Sequence, residues 1–90
     1  MMVIVLERVP VGLRGELTRW LLELHAGVFV GRVSAMVREK LWEMTCNRIK
    51  EGAGFLVYNS DTEQGFAIRT CGITKRKVED FEGLLLVTQA

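Results

Sequence analysis

Apolar residues fall in short blocks separated by polar turns. Residues 2–6 (MVIVL) form an unbroken run rich in Val and Ile, bounded by Glu7, Arg8 and the Val9-Pro10 pair. Its length and β-branching predict a strand buried on both faces. Pro10 then closes that strand and opens a helix. Leu13, Leu17, Trp20, Leu21 and Leu24 recur at three- and four-residue spacing, predicting one apolar stripe on a helix over residues 12–25. Gly27 is placed to stop it. A short strand over residues 28–30 follows and ends at Gly31. Ser34 is suited to cap a second helix whose buried face holds Val37, Leu41, Met44 and Ile49, with Trp42 beside them. Gly52 and Gly54 mark its end. Residues 55–59 read as a strand, 60–65 as a polar hairpin loop, and 66–71 as a half-buried, alternating strand. A basic loop at residues 74–77 leads through an acidic stretch to a last apolar strand at residues 84–88.

The order is strand, helix, short strand, helix, hairpin and terminal strand. It predicts an α+β, ferredoxin-like sandwich with two helices on one face of a mainly antiparallel sheet. Residues 1–90 read as one domain, with no internal repeat and no linker. The terminal strand has a lead-in of about a dozen residues, long enough in an extended chain to cross to a second subunit. An extra C-terminal strand exchanged in a homodimer is therefore expected, with residues 84–88 at the dimer or partner interface.

Composition narrows the class. Ninety residues, 49% hydrophobic and 26% charged, describe an ordinary globular chain. The longest apolar runs, MVIVL and LLLV, fall far short of the ~20 residues that span a bilayer. No basic segment precedes the first apolar run, so a secretory signal is not expected. Two cysteines, Cys46 and Cys71, stand in unrelated surroundings without metal-ligand spacing. They are expected to remain free and to act as small apolar residues in a reducing cytoplasm. The first 50 residues hold eight basic and five acidic side chains, and the last 40 hold four and six. Contact with nucleic acid must therefore come from a local patch, doubled by dimer symmetry.

Motifs for chemistry are sparse. There is no Gly-rich phosphate loop, paired-His zinc motif or nucleophile elbow. The single histidine, His25, is expected to close the first helix, where an imidazolium favours the dipole. Trp20 and Trp42 read as core residues rather than stacking platforms. Glu7, at the end of the first strand, is placed as a metal ligand, or as a surface residue paired with Arg8 or Arg14. One carboxylate holds Mg²⁺ poorly, so a metal would need the copy of Glu7 from a second subunit. Lys75, Arg76 and Lys77 form the densest basic run, and Arg14 lies near the start of the first helix. Both are suited to grip phosphates without reading sequence.

Taken together, VIVLERVP, GLRGELTRWLLELHAGVFVGRVSAMVREKLWE, GFAIRTCGITKR and GLLLV resemble the small CRISPR-associated adaptation protein Cas two in its subtype I-E form. The likeness runs from Val3 to about Val87. It implies a ferredoxin-like homodimer at the centre of a spacer-integration complex. There the dimer holds double-stranded DNA while the Cas one integrase transfers the strands. It also implies an alternative, a magnesium-dependent endonuclease acting through the acidic residue at the end of the first strand. That residue corresponds to Glu7, where the family typically has Asp and the subtype I-E form has Glu. The family's DNA-gripping positions carry over to Arg14, Lys75 and Arg76. Three other basic positions fall on Gly12, His25 and Met36, leaving Arg8, Arg32 or Lys77 as substitutes.

A third reading, independent of the resemblance, is a regulatory dimer that binds a small ligand between subunits. The sequence offers no cluster of convergent polar groups for it, so no small-molecule ligand and no membrane partner is expected.

Overall fold

In a computed structural model, residues 1–72 are described in full, and residues 76–81 and 84–89 through their backbone. Strand β1 (Met2–Glu7) leads into helix α1 (Val11–Leu17). Strands β2 (Leu22–His25) and β3 (Val28–Gly31) follow, then helix α2 (Ala35–Arg48) and strands β4 (Ala53–Asn59) and β5 (Phe66–Gly72). These strands form one sheet in the order β2-β3-β1-β4-β5, with every pairing antiparallel. A separate two-stranded sheet joins β6 (Arg76–Phe81) to β7 (Leu84–Gln89). The first four strands and two helices follow the ferredoxin-like βαββαβ plan, and β5 extends the sheet beyond it.

The sequence missed β2. The predicted helix over residues 12–25 stops at Leu17, where the chain makes a turn and re-enters the sheet. Leu13, Leu17 and Leu21 of the stripe are buried, but Trp20 is 54% and Leu24 67% exposed. Trp20 is thus a surface residue, whereas Trp42 is in the core as expected. The reason lies in the partner strand. Pairing of Leu22 with Val30 and Glu23 with Phe29 supplies backbone hydrogen bonds that a local reading of periodicity does not see. Gly27 does not end a helix. It takes φ +80° in the β2–β3 turn, and its carbonyl accepts the Leu6 N–H at 2.8 Å. His25 accordingly ends an exposed strand and caps no helix.

Strand β1 is buried on one face only. Met2, Ile4 and Leu6 point into the core, while Val3 and Val5 stay half-buried on the other side. The core joins those three to Leu13, Leu17, Leu21, Phe29, Leu41, Trp42, Ile49 and Leu56, beneath the helices. Helix α2 starts as predicted: the Ser34 side chain accepts the Val37 N–H at 3.2 Å. Residues 76–81, expected as part of a lead-in, form a strand of their own. Among the described residues no helix is long and apolar enough to cross a membrane.

The cysteines depart furthest from expectation. Cys46 of α2 and Cys71 of β5 are disulfide-bonded, with Cα atoms 5.7 Å apart. Twenty-five residues separate them in sequence, and only the packing of α2 on the edge strand brings them together.

Candidate nucleic-acid interface

The end of β1, the start of α1 and the β2–β3 turn meet at one end of the sheet. After Glu7 the chain must leave the sheet abruptly, and Arg8 does this in the left-handed region, at φ 53°. The conformation is rare for an arginine and is held in place by close packing behind it. A side chain at Gly52 would collide with the carbonyl oxygens of Glu7 and Arg8, so only glycine lets the two segments approach. Pro10, extended at φ −60° and ψ 144°, caps α1, and Arg14 follows one turn later.

Arg8 and Arg14 thereby line one shallow cleft of about 240 Å³ with Leu6, Val9, Ala26 and Gly27. Arg14 is not idle there. Its Nη2 and Nε donate to Glu23 Oε2 at 2.8 and 3.2 Å, and the Gly27 N–H donates to the same oxygen at 3.0 Å. The Gly27 N–H and then the Arg14 guanidinium hold the Glu23 carboxyl below the usual carboxylate range. Arg14 is therefore oriented with its side chain 38% exposed, and Glu23 is the partner the sequence reading missed. The signal was present: Leu22, Glu23 and Leu24 alternate before an Ala-Gly turn, a strand pattern hidden inside the helical stripe.

Glu7 is exposed and pairs in register with Ala53. It shares the sheet face of Val3 and Val5, opposite the helices. The structure thus separates it from Arg14, whose ion-pair partner is Glu23. Among the described residues no three His, Cys, Asp or Glu side chains gather as a metal site. Met36 is exposed on α2, and Gly12 lies inside α1. Arg76 and Lys77 begin β6, in register with Gln89 and Thr88, whereas Lys75 lies outside the described residues.

Residues 1–86 match the family model described as CRISPR-associated protein (Cas_Cas2CT1978). The chain belongs to this Cas two family. The match spans both helices and the whole five-stranded sheet and extends into β7. Membership of the Cas two family places the protein in a CRISPR system. Arg8 and Arg14 both line one cleft at this end of the sheet.

One further surface belongs to this geometry. On the sheet face opposite the helices, Val3 and Val5 of β1 stand in register with Val30 and Val28 of β3 and with Val57 and Phe55 of β4. Ile68 of β5 continues the row beside Val57. All seven are half-buried, so one protomer leaves an apolar face partly open.

Proposed function

We propose that this chain is the central, dimeric, DNA-holding subunit of a CRISPR spacer-acquisition complex in the cytoplasm, where a Cas one integrase carries out strand transfer. Membership of the Cas two family carries the reading. Two features support it. Arg8 and Arg14 converge on one cleft, giving each protomer a small cationic grip suited to phosphates. The half-open row of Val3, Val5, Val28, Val30, Phe55, Val57 and Ile68 supplies a face for a second copy, which a small domain gains much by burying. Pairing two copies doubles every basic contact.

The test uses the full chain, the integrase and short duplexes of unrelated sequence. The wild-type dimer should bind them alike, and affinity should fall steeply with salt, by roughly −0.9 in log K against log salt for each phosphate contact. Replacing Lys75 and Arg76 together by Ala should weaken binding, flatten that slope and stop integration. Glu7→Gln should leave both binding and integration intact. Loss of integration in a folded, dimeric Glu7→Gln protein, with magnesium-dependent cleavage by the wild type alone, would replace this reading with the endonuclease.

A further inference from the structure

Helix α2 and strand β5 are joined by two bridges, each built on one face of its element. Glu39 and Cys46 lie seven residues apart on α2, two helical turns, and so share a side. Arg69 and Cys71 lie two apart on β5 and share a side as well. Arg69 Nη1 donates to both carboxylate oxygens of Glu39, at 2.6 and 2.8 Å. Cys46 and Cys71 form the second bridge. Beyond Cys71, β5 has one residue left, Gly72, so the disulfide fastens the end of the edge strand.

This disulfide is not sealed in the core. Both cysteines are partly exposed. A cleft of about 320 Å³, lined by Glu39, Trp42, Glu43, Cys46, Asn47 and Arg69, leads to Cys46 from solvent. Exchange requires access of an attacking thiolate to a sulfur, and this opening provides it. Cys71, in register with Gly54, lies on the helix side of the sheet, so two copies packed through the opposite face would leave it reachable.

We propose that Cys46 and Cys71 are a reversible thiol–disulfide exchange site, oxidised by low-molecular-weight disulfides and reduced by low-molecular-weight thiols, and that its redox state sets how firmly the end of β5 is held to α2. In the oxidising direction, the Cys46 thiolate attacks one sulfur of the small disulfide. That S–S bond breaks, a mixed disulfide forms on Cys46, and one small thiolate leaves and is protonated by water. The Cys71 thiolate then attacks the Cys46 sulfur and expels the second small thiol. The protein loses two electrons and two protons, and the small disulfide gains them as two thiols. Reduction is the reverse. The Glu39–Arg69 bridge remains in both states and keeps the strand seated when the covalent bridge opens.

The experiment is independent of DNA and of the integrase. The full chain is equilibrated with reduced and oxidised glutathione over a series of ratios, then alkylated and weighed. The expected result is a reversible two-electron titration between a dithiol and an internal disulfide. Thermal unfolding should fall on reduction by on the order of 10 °C, as expected for opening a loop of this size. Amides at the end of β5 should lose hydrogen-exchange protection while those of β1 keep theirs. Cys46→Ser and Cys71→Ser should both match the reduced wild type. A pair that stays oxidised in excess reduced glutathione is a permanent staple and overturns the proposal. So does a pair that stops at a mixed disulfide, or whose two forms melt and exchange alike. If either Ser variant fails to fold, the wild-type titration decides alone.

Discussion

Arg14 shows how neighbours fix the orientation of a single side chain. A free arginine on a surface samples many rotamers, and binding a phosphate must fix one of them. Here Glu23 holds the guanidinium at 2.8 Å, and the Gly27 N–H in turn fixes the carboxylate. A phosphate must therefore compete with Glu23 for Arg14. Glu23→Gln keeps an oxygen for the Gly27 N–H but removes the charge, so it should strengthen duplex binding several-fold at low salt; filter binding or anisotropy would show it, and unchanged affinity would remove Arg14 from the DNA-holding surface. Glu23 and Glu39 also predict an acid response. The Gly27 N–H and Arg14 lower the pKa of Glu23, and Arg69 and then Arg38 lower that of Glu39. Both carboxylates thus bind protons less readily folded than unfolded. Their contribution is complete above the ordinary carboxylate pKa and is lost as pH falls through the lowered folded values. Urea unfolding at neutral and acid pH should show that loss, and the Glu23→Gln, Glu39→Gln double variant should show less of it.

At the scale of elements, α1 and α2 differ in how they are specified. Helix α2 has a capping serine, buried Leu41 and Trp42, and a buried Thr45 whose hydroxyl donates to the Leu41 carbonyl at 2.8 Å. Ser34→Ala leaves the Val37 N–H without its acceptor and should cost about 1 kcal/mol in chemical denaturation. Helix α1 has only seven residues and no side-chain cap, so it depends on burying Leu13 and Leu17 against the sheet. Phe29 of strand β3 is the largest wholly buried side chain among the described residues. Phe29→Ala should cost about 3–5 kcal/mol, with both the β2–β3 pair and α1 weakened together. A Phe29→Ala protein whose α1 amides keep their hydrogen-exchange protection would show that the helix does not depend on this residue.

For the whole molecule, the decisive quantity is the apolar row on the sheet face opposite the helices. An aspartate in its middle would bury a charge without a partner if two copies pack there. Phe55→Asp should therefore convert a dimer of the full chain to a folded monomer at micromolar concentration, read by sedimentation or light scattering. A variant that stays dimeric moves the interface to the β6–β7 sheet. A deletion from residue 83 onward distinguishes the two, since it removes β7 and leaves the row untouched.

The sequence by itself determined the α+β class, the places of β1, α2, β4 and β5, the Ser34 cap and most of the core. These follow from local physics: strand and helix periods differ, and glycine, proline and serine punctuate them. It also put Arg14 near the start of the first helix, and Arg14 does lie in α1. Tertiary structure decided the rest. Leu22, Glu23 and Leu24 became a strand because β3 offered backbone partners that no window of sequence contains. Arg14 found Glu23 nine residues away, Arg69 found Glu39 across thirty, and Cys46 found Cys71 across twenty-five. Each pairing depends on how the helices are laid across the sheet, and that arrangement is set by burial of the whole core rather than by the residues that meet because of it.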